Sequence, residues 1–333
     1  TNLTLADWAK RTDPDGSIPI IAELLSQSNE ILEDCVFKEG NLPTGDRVVV
    51  RTGLPTVYWR ALNQGIPNSR STTAQVDEAC AILEARSEVD KDLAMLNGNT
   101  AQFRLSEDTA FLEAMNQTQA STLFYGNPAV DAKQFLGLAT RYSSTTAGNG
   151  QNIILGGSGT AAVNTSVYLV VWGDQTVYCP FPKGSKAGLI HEDLGEQTVY
   201  DGSNRLQAYA TRYQWKNGLV VKDWRYVVRI PNLQVSELFA RAGAQQDSAS
   251  TALIKLMTRA LYRIPNMSMG RAAFYMNRTV HSALSIMALD KSQYVLKVND
   301  GLSQFGTANK YLSFLGVPIR RCDALLNTEA LVS

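Results

Sequence analysis

Residues 106–128 constrain the fold most strongly, because they predict one long helix with a defined end. Ser106 can cap the N-terminus, and the two acidic residues after it lie where the helix dipole favours negative charge. Residues at three- and four-residue steps would line one side of this helix: Phe111, Ala114, Met115 and Thr118. Gly126 is a typical C-terminal cap, and Pro128 prevents continuation. The predicted helix, residues 106–124, would be about 28 Å long and could span a domain, although an ordinary core helix has the same pattern.

The charge balance of the chain limits the classes of protein to which it can belong. The 333 residues include 31 basic and 31 acidic side chains, so the formal net charge is zero. A dedicated nucleic-acid-binding protein normally carries a basic surplus, whereas a balanced charge suits a protein that packs beside many copies of itself. The hydrophobic content of 44% predicts a globular chain. No stretch approaches the length of an apolar membrane span, so none is predicted.

The four cysteines give no sign of a metal or redox site. Cys35, Cys80, Cys179 and Cys322 lie far apart, and no pair has the C-x-x-C spacing. We therefore expect reduced, partly buried thiols, as is usual for a protein made in a reducing cytoplasm.

Residues 41–76 differ from the rest of the chain because they offer little apolar content for a core. Two short strands are predicted at residues 47–51 and 56–60, and a polar loop follows at 64–73. Four arginines lie here with few acids near them in sequence: Arg47, Arg51, Arg60 and Arg70. Two interpretations remain open, a solvated surface hairpin or a hairpin that rests on another molecule.

The remainder of the chain predicts alternating strands and helices. Residues 166–172 form the most apolar strand, and the Asn217-Gly218 pair predicts a hairpin between strands at 206–216 and 219–221. In the last third, helices are predicted at 250–264 and 278–289 and strands at 272–276, 294–298 and 311–325. This is an α+β pattern, with a separate domain from about residue 235 onward.

A search for catalytic motifs finds none that is complete. His191 and Glu192 begin an H-E-x-x-H metal motif, but Gly195 stands where its second histidine would be. Residues 157–162 match G-x-G-x-x-A but lead into a predicted strand, whereas a dinucleotide site needs a helix there. We predict no catalytic residue, no cofactor and no metal.

Several stretches together carry a family resemblance. They read LADWAKRTDPDG at 5–16, NLPTGDRVVVRTGLPTVYWRALNQG at 41–65, SEVDKDLAMLNGNTAQF at 87–103, TLFYGN at 122–127, FPKGSKAGLIHEDLG at 181–195, KDWRYVVR at 222–229 and FLGVPIRRCDAL at 314–325. In these stretches, which are spread over most of the length of the chain, the sequence resembles the major capsid proteins of short-tailed bacteriophages, the group typified by phage epsilon-fifteen of Salmonella and the Bordetella phages.

The resemblance implies the Hong Kong 97-like capsid fold and a division of the chain into four parts. These are an N-terminal arm (1–40), an extended loop (41–76), a peripheral domain (77–234) with a spine helix at 106–124, and an axial domain with a closing strand (235–333). The extended loop coincides with the hairpin that lacks a core of its own. We therefore take as candidate intersubunit contacts Arg47, Arg51, Tyr58, Trp59, Arg60 and Arg70.

The implied function is structural. Copies would assemble in the host bacterial cytoplasm into pentamers and hexamers of an icosahedral virion capsid around double-stranded DNA, which would be enclosed without sequence specificity. The expected partners are other copies of the chain, a portal, and a scaffold or a cement (decoration) protein, with no membrane and no covalent cross-link. The alternatives are a cargo-enclosing protein shell of the same fold and a soluble hydrolase.

Overall fold

The structure of the chain is a computed structural model that describes residues 26–96, 100–157, 163–201, 204–239, 249–290, 296–302 and 308–333. The helices are α1 (Ile31–Asp34), α2 (Lys91–Met95), α3 (Thr100–Tyr125), α4 (Leu138–Arg141), α5 (Val235–Phe239), α6 (Ala249–Arg263) and α7 (Arg278–Asp290). The strands are β1 (Phe37–Glu39), β2 (Gly45–Gly53), β3 (Thr72–Ala79), β4 (Ala81–Asp90), β5 (Asn164–Trp172), β6 (Val177–Phe181), β7 (Leu189–Asp201), β8 (Asn204–Asn217), β9 (Val220–Val221), β10 (Val227–Gln234), β11 (Arg271–Met276), β12 (Leu296–Leu302), β13 (Ala308–Phe314) and β14 (Val317–Arg321).

The long helix α3 ends where the sequence predicts and begins earlier. It spans 26 residues, and Ser106 lies inside it, donating its hydroxyl to the Phe103 carbonyl, so the prediction that Ser106 is the cap is wrong. The additional turn is stabilised because Phe103 is buried against Val89 and the residues of α2. At the C-terminal end, Gly126 closes the helix with a bond from its amide to the Thr122 carbonyl.

The buried side of α3 differs from the predicted side. Met115 is buried, but Ala114 and Thr118 are exposed, because the helix packs on the core mainly through its last two turns. Those turns bury Ala120, Leu123 and Phe124. From Arg104 to Thr118, Met115 is the one buried residue of α3, so the predicted apolar side matches the buried side at that residue alone.

A nine-stranded sheet forms the centre of the fold. Its main path runs β1-β6-β5-β11-β14-β13-β12, with β10 paired to β5 and β9 to β6. Every residue of β5 is buried, which fits the continuous apolar sequence predicted for this strand. Alternate side chains of β5 enter two cores. Leu169 and its neighbours face α6 and α7, whereas Tyr168 and its neighbours face the end of α3.

Two smaller sheets lie outside this centre. Strand β8 pairs with β4 and β7 in a three-stranded sheet, and β2 pairs with β3 in a two-stranded ribbon. The predicted hairpin at Asn217-Gly218 is wrong, because β9 pairs antiparallel with β6 instead of β8. The Gly218 amide donates to the Pro180 carbonyl at 2.9 Å. At this contact the chain passes from the three-stranded sheet, which contains β8, to the nine-stranded sheet, which contains β6 and β9.

The predicted N-terminal arm falls partly outside the described residues. Residues 1–25 are not described, while residues 26–40 pack on the central sheet, with Ile31 fully buried and β1 parallel to β6. The division into arm, loop, peripheral and axial domains stays a prediction. The four cysteines are free, and three of them, Cys35, Cys179 and Cys322, lie in the core at the end of α3.

Candidate intersubunit surface

The ribbon of β2 and β3 is firmly rooted in the molecule. At its base the Tyr178 hydroxyl donates to the buried Asp46 carboxylate at 2.5 Å. Burial, followed by the adjacent Asp46, raises the pKa of Tyr178, so the phenol stays a hydrogen-bond donor. On the other strand, Arg141 holds Glu78 through two bonds of 2.6 Å and also donates to the Leu219 carbonyl. The direction of the ribbon is therefore fixed by polar contacts that are largely shielded from water.

Within the described ranges, no contact of comparable strength holds the segment between the two strands, residues 54–71. It contains neither helix nor strand, so the strand predicted at 56–60 is wrong. Backbone groups that pair with no strand are left to side chains and water. Inside this segment the bonds are few: the Thr56 amide to the Ser69 hydroxyl, and the Gln64 amide to the Ala61 carbonyl. We call residues 54–71 the bare tip.

The bare tip exposes a set of large apolar side chains that a soluble subunit would normally bury. The exposed fractions are 80% for Leu54, 87% for Val57, 104% for Trp59 and 95% for Leu62, and Tyr58 and Ile66 are also exposed. The sequence interpretation attributed little apolar content to this stretch and missed Leu54, Val57, Leu62 and Ile66. The signal was available: apolar residues without alternation, interrupted by prolines. Contiguous apolar exposure of this kind is typical of a protein–protein contact.

The predicted contact residues separate into two groups. Tyr58, Trp59, Arg60 and Arg70 lie in the bare tip, which contains no acidic residue, and Arg51 lies at its base in β2. Arg47 belongs to the ribbon, where it forms a bidentate pair with Asp77 at 2.6 and 2.7 Å. That hydrogen-bonded pair raises the pKa of Arg47 and lowers the pKa of Asp77. Arg47 is thus already engaged within its own chain, whereas the tip arginines are exposed.

A second unusual surface runs along α3. Eight residues of the helix are exposed, and none is charged: Ala101, Gln102, Leu105, Thr109, Ala110, Leu112, Ala114 and Thr118. The charged residues of α3 lie at its flanks instead, where Arg104 pairs with Asp193 at 2.7 Å and Glu113 accepts from the Gln27 amide. The outer face of a surface helix normally carries charge. At about 100° of rotation per residue, Ala110, Ala114 and Thr118 lie on a different side of the helix from the other five, and we call the eight residues together the uncharged stripe.

The described residues offer little support for an active site. No group of three or more His, Cys, Asp or Glu side chains in that part of the chain is arranged to hold a metal ion. His191 is exposed on β7 and packs its ring 5.2 Å from that of Tyr213. Of the G-x-G-x-x-A match, residues 158–162 lie outside the described part. Within the described ranges, no helix has both the length and the apolar character needed to cross a membrane.

These features define a class of protein. A long helix beside a mixed central sheet, together with a rooted ribbon whose apolar tip has no partner strand among the described residues, is the architecture of a capsid subunit with the Hong Kong 97-like fold. Such a subunit is completed by other copies. The sequence profile of the family described as major capsid protein GP7 matches residues 13–333, and the chain belongs to this family. It is a structural protein of a virion capsid shell and not an enzyme.

Solved structures support the same fold. A chain in the cryo-EM structure of bacteriophage Epsilon15 is 29% identical, with a TM-score of 0.76 and coverage of 100% of this chain and 98% of that one. A chain of the bacteriophage JBD30 capsid is 10% identical, with a TM-score of 0.51 and coverage of 90% and 92%, and it supports the fold alone. None of the curated proteins compared by sequence matches the chain.

The predicted resemblance, fold class and structural role are therefore confirmed. A chain of the SrpI encapsulin complex from Synechococcus elongatus PCC 7942 is 12% identical, with a TM-score of 0.42 and coverage of 70% and 97%. That similarity is too low to support the cargo-shell alternative.

Proposed function

We propose that copies of this chain assemble in the host bacterial cytoplasm into pentamers and hexamers, which close an icosahedral shell around double-stranded DNA. Membership of a major capsid protein family supports the shell. The zero net charge supports close packing of identical copies and weak, sequence-independent contact with the enclosed DNA. A portal and a scaffold or cement protein are the further partners that such a shell takes.

The bare tip is the observation that carries the assembly mechanism. Large side chains such as Val57, Trp59 and Leu62 are almost fully exposed in the single chain. Burying one of them contributes about 1.5–3 kcal/mol, and part of this gain offsets the entropy lost on association. Because the same contact repeats between all neighbouring copies, modest gains at each contact add up over the shell. We infer that Tyr58, Trp59, Arg60 and Arg70 of the tip, Arg51 at its base and their apolar neighbours form this interface, with Arg47 at its margin in the ribbon.

The uncharged stripe of the neighbouring copy is the surface that fits the tip best. Ala110, Ala114 and Thr118 share one side of α3 at a four-residue spacing and are small, so the Trp59 ring can approach the helix closely there. Docking of a projecting tip on a different surface of the next copy is a heterologous contact, and a heterologous contact closes rings when its rotation is a simple fraction of a turn. Pentamers and hexamers are rings of that kind.

A substitution in the stripe tests this interface. We expect Ala114→Arg to prevent ring and shell assembly, because the tip would meet a bulky cation on a surface that is uncharged. Ala114→Ser keeps the position small and uncharged, and it should assemble normally. Because Ala114 is exposed in the subunit, neither change should lower the melting temperature of the unassembled chain by more than that of a typical surface substitution.

Sedimentation velocity and negative-stain electron microscopy measure the outcome. Shells formed by Ala114→Arg with the yield of the unaltered chain would exclude the stripe as the receptor of the tip. An equal loss of assembly in Ala114→Ser would point to helix stability and not to charge or size as the cause.

A further inference from the structure

One buried carboxylate joins the long helix to the central sheet. Glu329 is 5% exposed and lies in the segment after β14. One of its oxygens accepts from the Tyr125 hydroxyl at 2.5 Å, at the last residue of α3. The other oxygen accepts from Arg229 of β10 at 2.9 Å and from the Ser166 hydroxyl of β5. The Glu329 backbone amide also donates to the Asn164 carbonyl at 2.9 Å.

The arginine that faces Glu329 is equally well satisfied. Arg229 is 4% exposed, and its remaining donors reach the carbonyls of Ala139 at 3.1 Å and Tyr142 at 2.8 Å. Its guanidinium also lies over the Tyr168 ring, 5.6 Å from the centroid. Such a closed network has a defined geometry, because each short hydrogen bond is directional whereas apolar packing is not.

The other polar contacts of α3 are more exposed than the one to Glu329. Of the buried carboxylates in the described part of the chain, Asp34, Asp46 and Glu329, only Glu329 is hydrogen-bonded to α3. The N-terminal half of the helix is held by the apolar contact of Phe103 with Val89 and by polar contacts nearer to water, such as Arg104 with the half-exposed Asp193. Exposed pairs of that kind are weak and adaptable.

A small change at the Tyr125 end has a large effect at the other end of the helix. A helix of 26 residues is about 39 Å long, so a tilt of about 5° moves Thr100 by about 3 Å. The uncharged stripe lies between these ends and would move with it. The angle between α3 and the sheet therefore determines where the tip of a neighbouring copy binds the uncharged stripe.

We propose that Glu329 is a positioning residue that fixes the angle between α3 and the nine-stranded sheet, and thereby the diameter of the shell. This inference rests on the proposed function, because it requires that neighbouring copies contact α3. The segment after β14, which contains Glu329, would then determine the geometry of the shell as well as the stability of the subunit.

Two substitutions at the junction, with a matched core control, test the proposal. Tyr125→Phe removes the bond from the helix end and leaves the Arg229–Glu329 pair intact, and Glu329→Gln removes the charge itself. Leu284→Ala opens a cavity in the core beneath α7, which is remote from α3. We expect Tyr125→Phe to give shells of several diameters with a small loss of melting temperature. Leu284→Ala should give the opposite result, with shells of one diameter and a larger loss of melting temperature.

A distance measurement in the unassembled subunit separates this proposal from the proposed function. Spin labels at Ala101→Cys and Ser282→Cys, in a Cys80→Ser background, report the position of the far end of α3 relative to α7. Both labelled positions are exposed. In Tyr125→Phe the distance distribution should shift or broaden by about 3 Å, from the tilt calculated above.

Unchanged distances, or shells of a single unaltered diameter in both Tyr125→Phe and Glu329→Gln, would overturn the role of Glu329. A broadened distance in a chain that forms no shells under any condition would support the positioning role within the subunit, and would contradict the proposed function instead.

Discussion

Replacing Trp59 with alanine is expected to abolish shell assembly and to leave the unfolding of the isolated subunit unchanged. The Trp59 side chain is 104% exposed, so its removal takes no contact from the folded chain. At an interface, truncation of a central aromatic anchor costs about 2–4 kcal/mol, and the loss recurs at each contact between copies. Sedimentation velocity measures the assembly, and a thermal melt of the unassembled subunit measures the fold.

Asn68→Ala is the matched control for this substitution. Asn68 is exposed in the same segment, but an exposed amide offers little apolar area for burial, so assembly should be close to that of the unaltered chain. Normal shells from Trp59→Ala would remove Trp59 from the interface. A lowered melting temperature in Trp59→Ala would indicate that the tip packs on its own chain, contrary to the exposure in the structure.

Arg229→Met is expected to cause the largest loss of subunit stability. Methionine preserves much of the apolar stem but leaves the Glu329 carboxylate buried without a counter-charge, and it removes the donors to two backbone carbonyls. Breaking a buried ion pair from one side costs about 3–5 kcal/mol, a large part of the roughly 5–15 kcal/mol that stabilises a typical domain. The midpoint of guanidinium-induced unfolding should fall accordingly.

Two comparison variants make the Arg229 result specific. Arg225→Met alters an exposed arginine paired with Asp223 and should change the free energy of unfolding by at most about 1 kcal/mol. The double variant Arg229→Met/Glu329→Gln should be more stable than Arg229→Met alone, because the uncompensated charge is gone. If Arg229→Met were no more destabilising than Arg225→Met, the pair would not be the buried anchor that its distances indicate.

Elements defined by local chemistry were predictable from the sequence. The C-terminal end of α3 follows from Gly126 and Pro128, and the course of β5 from its continuous apolar run. The helix predicted at 250–264 occurs as α6, because its apolar spacing matches one face of a helix. In each case the residues that determine the structure lie within the element itself.

Features that depend on distant partners were not predictable in the same way. The Asn217-Gly218 pair favours a hairpin locally, but contacts with Pro180 and the pairing of β9 with β6 override that preference. The strand expected at 56–60 has no partner strand in the part of the chain that the structure describes. Arg229 and Glu329 are 100 residues apart, so nothing in their spacing indicates the pair.

The candidate interface was predictable only in part. The low apolar content of residues 41–76 indicated that this stretch differs from the rest of the chain. Its exposed segment contains Tyr58, Trp59, Arg60 and Arg70, which agrees with their predicted role as intersubunit contacts but does not test it. The uncharged stripe could have been recognised only with the burial pattern, because α3 does contain charged residues. Charged residues of α3 such as Arg104 and Glu113 bind neighbouring elements of the same chain, so the exposed residues of the helix are uncharged.

Cryo-electron microscopy of the assembled chain, co-expressed with the scaffold and portal of its phage, tests the central claim most directly. We expect closed icosahedral shells in which the Trp59 ring of each copy lies against the uncharged stripe of a neighbouring copy. Shells in which residues 54–71 contact only solvent or their own chain would contradict the proposed interface, and a chain that stays monomeric under these conditions would contradict the proposed assembly as a whole.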